Sequence, residues 1–274
     1  MNDSISDSMN GKMNAPSFPD HLLRRREFLL SLAGGTAALM GCVGGESITG
    51  QTGGGNARLT ARPGTPGTIS PAGIYPITAS NPNDGALIVP DGVPGTPRPL
   101  VVALHGAGQG ADWGQNMLGA AAAARGFLLL SPGARGITWD VMTYRYSYDV
   151  TFLNSALAWT FAQCNVDSTR IILLGFSDGA SYALGLGEAN GDLFTRVVAC
   201  SPGYEPRSDS PATGKPSFFV SHGTQDQVLN IDNASRVIVP RLRARGYSVG
   251  FVEFDGGHSI PPGILTQALD FALA

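Results

Sequence analysis

The chain has little charge and no strong excess of either sign. Asp, Glu, Lys and Arg make up 14% of its 274 residues, well below the ~25% of an average soluble domain. The formal net charge is −3, whereas proteins that bind nucleic acid usually carry a basic excess, so nucleic acid is not an expected partner. No apolar run approaches the ~20 residues needed to span a bilayer. The clearest run, residues 29–40, is short and broken by Ser31, Gly34, Gly35 and Thr36. Cysteine is scarce, with only Cys42, Cys164 and Cys200, and none stands at zinc-ligand spacing. No internal repeat is present. Hydrophobic residues, at 43%, are near normal. The chain is therefore neither disordered by charge nor polytopic, and it is long enough to bury a core.

Glycine and proline are abundant, at 37 and 19 residues, and the front of the chain uses them differently from the back. Residues 1–23 are polar and aperiodic. Arg24-Arg25-Arg26 then precedes the apolar run, and a basic patch before a short apolar run reads as an export signal. The long polar front, paired arginines and mild hydrophobicity resemble a twin-arginine signal, which exports folded proteins. Leu39-Met40-Gly41-Cys42 closes the run and resembles a bacterial lipobox. That resemblance implies acylation of Cys42 and an exported protein, periplasmic or at the cell surface, that meets membrane only through an N-terminal lipid anchor. Lys12, Arg24, Arg25 and Arg26 balance Asp3, Asp7, Asp20 and Glu27, so the exported part carries the whole negative charge. The expected organisation is a signal over 1–41, a flexible Gly/Thr/Ser/Pro tether over 42–71, and a folded domain over 72–274.

From residue 72 short aliphatic runs alternate with Ala-rich stretches. Strands are predicted at 73–77, 86–89, 100–104, 127–130, 170–174, 196–200, 217–221 and 248–254. Helices are predicted at 112–125, 149–164, 178–188, 231–245 and 264–273. Strands as apolar as Leu100-Val101-Val102-Ala103-Leu104 are buried on both faces. The expected architecture is α/β: a mostly parallel, doubly wound sheet of about eight strands with helices on both faces. In such sheets ligands bind beyond the carboxyl ends of the strands, so the residues just after each strand carry the chemistry.

Gly175-Phe176-Ser177-Asp178-Gly179 follows a predicted strand and opens a helix. In a chain so rich in glycine the five-residue pattern alone is weak, but its place at a strand end gives it meaning. A serine in a sharp strand-to-helix turn is held in strained geometry that exposes its hydroxyl. That hydroxyl needs a neutral imidazole to take its proton. Outside the leader the chain has only His105, His222 and His258. His258 lies in a Gly-rich turn after the last strand, where a side chain can return to the sheet edge. The chain order Ser…Asp…His is met by Ser177, Asp226 and His258, each just past a strand. Asp255, Asp178 and Glu253 compete with Asp226, but they share the turn of His258, adjoin the serine or sit inside a strand. His105-Gly106-Ala107-Gly108-Gln109 also follows a strand, and the backbone N–H groups of Ala107 and Asp178 are the predicted oxyanion donors. His105 itself is expected to anchor that loop.

His105-Gly106-Ala107-Gly108, Gly175-Phe176-Ser177-Asp178-Gly179, the His222-Gly223-Thr224-Gln225-Asp226 turn and the Asp255-Gly256-Gly257-His258 turn together resemble the serine-esterase branch of the α/β-hydrolases, near the phospholipase/carboxylesterase and poly(hydroxybutyrate)-depolymerase-like groups. The resemblance covers roughly residues 98–265 and implies hydrolysis of small-molecule or polymeric carboxylic esters with no cofactor and no metal. A peptidase or acyltransferase using the same residues, or a ligand-binding surface lipoprotein with a retired site, are the alternatives. Residues 201–216 are too few for a lid domain, so the site is expected to be open. Gln109, and Trp139 and Tyr144 in the irregular stretch 133–147, are candidate pocket residues. Cys164 and Cys200 fall at opposite ends of the sheet, about 17 Å apart at 3.3 Å per residue, too far for a disulfide.

Overall fold

The computed structural model describes residues 54–66, 70–77, 84–92, 95–143 and 145–274. The predicted leader, the lipobox cysteine Cys42 and Tyr144 lie outside them. Eight strands form one sheet: β1 (Gly73–Ile77), β2 (Gly85–Val89), β3 (Arg98–Leu104), β4 (Leu128–Pro132), β5 (Val166–Phe176), β6 (Arg196–Cys200), β7 (Ser217–Gly223) and β8 (Val249–Phe254). Their order is β1-β2-β4-β3-β5-β6-β7-β8. The pairs β1–β2 and β2–β4 are antiparallel, and the rest are parallel. The helices are α1 (Asp112–Arg125), α2 (Asp140–Thr143), α3 (Tyr148–Gln163), α4 (Asp178–Ala189), α5 (Ser235–Ala244) and α6 (Pro262–Leu273).

The central strands serve two cores because alternate side chains leave opposite faces. On β3, Leu100, Val102 and Leu104 join the core beneath α3, α4 and α5, while Val101 and Ala103 join the core beneath α1 and α6. On β5, Ile171 and Leu173 face the first core and Ile172 and Leu174 the second. The Ala-rich α1 buries Trp113, Leu118 and Ala122 and stops at Gly126, whose φ of 72° suits a residue without Cβ. Its Gly114 permits close approach, since a Cβ there would lie 2.2 Å from Ser131 Oγ. Helix α6 starts with Pro262 in its first turn, where a missing N–H costs nothing.

Two expectations need correction. The folded part begins well before residue 72: Ala57 and Leu59 are fully buried and join the first core together with Ala61. Asn190 accepts the Leu59 N–H at 2.8 Å and donates to Ala57 O at 2.8 Å, and Asn154 Oδ1 accepts the N–H groups of Thr60 and Ala61. Arg58 and Arg62 both pair with Asp192. Composition hides this because only three alternating apolar side chains, Ala57, Leu59 and Ala61, do the packing, while distant asparagines satisfy the backbone. The second correction is that residues 133–147 include the short helix α2, so the stretch is not wholly irregular. Residues 201–216 join β6 to β7 as a loop without a helix, as expected of a fold with no lid domain.

Cys164 and Cys200 are free and buried, and burial pushes both thiols up to about 11. Among the described residues no helix is long and apolar enough to cross a membrane.

Candidate active site

Ser177 sits in the turn from β5 into α4 with φ 56° and ψ −120°, a region that side-chain-bearing residues rarely occupy. Sequence makes the turn possible at two points. A Cβ on Gly175 would lie 2.2 Å from Gly179 O, and one on Gly179 would lie 2.2 Å from Leu104 O. Backbone therefore touches backbone where β5, α4 and β3 meet. The Ser177 N–H donates to Cys200 O at 2.9 Å, which ties the turn to β6.

Asp226 follows β7 and His258 follows β8, and their turns are laced together. Thr224 N–H donates to Phe254 O and Gln225 N–H to Gly256 O, each at 2.9 Å. Gly223 lets them close, because a Cβ there would lie 2.3 Å from Gly256 O. The result aligns three side chains from three strand ends. His258 Nε2 lies 2.9 Å from Ser177 Oγ, and His258 Nδ1 lies 2.6 Å from Asp226 Oδ2. Phe176 packs against the His258 ring with centroids 4.8 Å apart.

The protons follow from the partners. An ionised carboxylate only accepts, so Nδ1 of His258 carries the hydrogen and Nε2 is free to accept from the Ser177 hydroxyl. Asp226 is 4% exposed. Burial alone would raise its carboxyl, but the Leu229 N–H, His258 and the Val228 N–H outweigh burial and hold it below the usual carboxylate range. Both N–H groups reach Oδ1 at 2.9 Å.

His222, to which sequence reasoning gave no role, is fully buried behind Asp226. Its Nε2 donates to Leu229 O at 2.8 Å, so Nδ1 accepts from Ser235 Oγ at 2.7 Å, and Nε2 also lies 3.3 Å from Asp226 Oδ2. Burial lowers the His222 pKa and favours the neutral ring. The signal was its place at the end of β7, four residues before Asp226.

The loop after β3 flanks the serine, as a Cβ on Gly106 would come within 3.2 Å of Ser177 Cβ. His105 anchors it: Nδ1 donates to Gly106 O at 2.8 Å and Nε2 accepts the Ala134 N–H at 2.9 Å. Gly106 N–H is held by Gln109 Oε1 and Gly108 N–H by Ile137 O, both at 2.8 Å. The Ala107 N–H has no hydrogen-bond acceptor among the described residues. The Asp178 N–H opens α4 and has no intrahelical acceptor. The Asp178 side chain is engaged elsewhere, accepting from the Thr138 hydroxyl at 2.6 Å.

The predicted pocket residues fare differently. Gln109 is exposed on the loop beside the serine. Trp139 does not line a pocket: it is 1% exposed, stacks on Tyr182 and donates from Nε1 to His105 O at 2.8 Å. Its indole braces the loop because the stretch after β4 folds back beneath it through Asp149, whose oxygens take the Arg135 and Asp140 N–H groups.

Residues 151–273, which contain Ser177, Asp226 and His258, match the phospholipase/carboxylesterase family. No curated protein matches the chain by sequence. Among solved structures, esterase PE8 is 23% identical with a TM-score of 0.54, over 69% of this chain and 97% of that one. FphF, a fluorophosphonate-binding serine hydrolase of Staphylococcus aureus, is 13% identical with a TM-score of 0.59, over 75% and 100%. A phospholipase/carboxylesterase from Dyadobacter fermentans is 20% identical with a TM-score of 0.53, over 77% and 100%. At these identities the structural likeness speaks for the fold, and the family match is confined to residues 151–273. The chain has the α/β-hydrolase fold, and its residues 151–273 are similar to the phospholipase/carboxylesterase family.

Proposed function

We propose that the protein is a serine esterase that cleaves carboxylic esters through an acyl-enzyme. The observation that carries this reading is the unbroken line from Asp226 Oδ2 through His258 to Ser177 Oγ, at 2.6 and 2.9 Å. Ser177 Oγ attacks the ester carbonyl carbon while its proton passes to His258 Nε2. Asp226 keeps the imidazole in the required tautomer and stabilises the imidazolium. The carbonyl oxygen gains negative charge beside the N–H groups of Ala107 and Asp178, where a single donor is typically worth ~2.7–4 kcal/mol of transition-state stabilisation. His258 then protonates the departing alcohol, and water enters by the reverse path to release the acid.

With only a loop over residues 201–216 between β6 and β7, small soluble esters or the edge of an extended polyester suit the site. The leader motifs support export and acylation at Cys42; labelled palmitate that still incorporates after Cys42→Ser would remove the anchor from this account. The central test is hydrolysis of p-nitrophenyl acetate and labelling by a fluorophosphonate. Ser177→Ala is expected to lose both, and Asp226→Asn to lose about 10⁴-fold in kcat. Labelling that persists in Ser177→Ala overturns the nucleophile. An intact protein that no fluorophosphonate labels favours a retired, ligand-binding site instead.

A further inference from the structure

A cavity of about 590 Å³ opens between the second half of α4, the loop after β6, and α5. This is within the range of small-molecule pockets. Ser177, Asp226, His258, Ala107 and Asp178 do not line it. One wall is apolar, with Ala189, Val237 and Ile238. Arg207 from the loop and Arg241 from α5 also line it.

These two arginines stand apart from the others. Elsewhere among the described residues every guanidinium group is engaged. Most bond carboxylates, as Arg135 does Asp84 and Arg125 does Asp270. Arg98 and Arg243 bond main-chain carbonyls, and Arg196 lies over the Phe271 ring. The guanidinium groups of Arg207 and Arg241 have no partner among the described residues, and both residues line the same cavity. A hollow of about 630 Å³ beside Arg98, Arg125 and Arg170 differs in this respect, since each of those three has its own acceptor.

We infer that the α4–α5 cavity is a second binding site, for a small organic carboxylate whose oxygens meet Arg207 and Arg241 and whose hydrocarbon body rests on Ala189, Val237 and Ile238. Guanidinium groups suit carboxylates because their planar donors match the two oxygens. The hydrocarbon wall favours an anion with an apolar body over a bare ion. Glu188 and Glu205 also line the cavity, but Arg245 bonds both of them. Burial and the nearness of Glu205 push Glu188 up to about 8, so this wall holds less negative charge near neutrality than two free carboxylates would. The inference stands independently of the esterase reading, because none of its residues belongs to the triad.

The test is isothermal titration of the full chain at pH 7 and low salt with 4-phenylbutyrate, 4-phenylbutan-1-ol and inorganic phosphate. The carboxylate is expected to bind the wild type. It should bind at least tenfold more weakly to the double variant Arg207→Gln/Arg241→Gln, and the neutral alcohol and phosphate at least tenfold more weakly to the wild type. Absence of 4-phenylbutyrate binding, equal binding by the double variant, or equal affinity for the alcohol or phosphate would each overturn the assignment. Both side chains are exposed, so the variants are expected to fold. Should the double variant fail a circular dichroism check, the two single variants decide, each with at least threefold weaker binding expected. Fluorophosphonate labelling of the same samples separates the outcomes: unchanged labelling with lost carboxylate binding supports the second site, and joint loss assigns the anion to the serine's own site instead.

Discussion

Ser177 shows how a single residue concentrates cost and use. With φ 56° and ψ −120° it occupies backbone space in which a Cβ is crowded, at ~1–3 kcal/mol for such a conformation. Its neighbours cannot relax it, because Gly175 and Gly179 are already in backbone contact with α4 and β3. Removing the hydroxyl while keeping the Cβ leaves that cost in place, and removing the Cβ as well relieves it. Ser177→Gly is therefore expected to be more stable than Ser177→Ala by about 1 kcal/mol or more, both being inactive. Urea unfolding of the two variants measures the difference, and equal midpoints with equal slopes would show that the turn stores no strain. The three described histidines show the same dependence on partners. His105 and His258 carry the proton on Nδ1 and His222 carries it on Nε2, each because a carbonyl or carboxylate can only accept.

At the level of elements, the strand ends position the chemistry, and the strap at residues 54–62 fastens onto Asn154 of α3 and Asn190 at the end of α4. That strap has no regular structure of its own, yet its backbone is satisfied by Asn154 and Asn190 and its Leu59 is fully buried. Leu59→Ala is expected to cost 2–5 kcal/mol, the usual range for a buried leucine. A loss under 0.5 kcal/mol in chemical denaturation would mean that the strap rides on the surface. The elements that sequence placed best are those with a sharp local boundary. Helix α1 runs from Asp112 to the Gly126 stop, and β6 spans Arg196–Cys200, both as predicted. The start of β5 was missed by four residues, since Val166–Thr169 is largely polar and pairs through a shift in register with β3. Polar residues at an irregular strand end give no alternation to read.

For the whole molecule, buried carboxylates set how stability varies with pH. Burial and Glu205 raise Glu188 to about 8, well above its ordinary 4.5. The folded protein therefore holds this proton more tightly than the unfolded chain does. Its contribution to stability is present at low pH, declines between about pH 4.5 and 8, and stays lost above that. Glu188 joins α4 to the loop after β6 and to Arg245 beyond α5, so the loss is felt across one side of the sheet. The free energy of unfolding is expected to fall between pH 6 and pH 9, with a smaller fall in Glu188→Gln. Urea titrations at the two pH values check this, and falls of equal size would assign the pH dependence to other groups.

What the sequence determined by itself was whatever depends on neighbours along the chain. Alternation and apolar runs marked eight strands and their burial on two faces. The Gly-x-Ser-x-Gly turn, and the placing of Asp226 and His258 just beyond strands, marked three side chains able to meet at one edge. A scarcity of histidine narrowed the choice further. Tertiary structure alone decided what depends on partners distant in sequence. Trp139 proved a brace instead of a pocket wall because the chain after β4 folds it under the His105 loop. His222 gained its place through Ser235 and Leu229. The strap became part of the core because Asn190, far along the chain, supplies the hydrogen bonds that its own residues lack. Local pattern fixes which groups are available; only the closed sheet brings donor, acceptor and cavity within reach of one another.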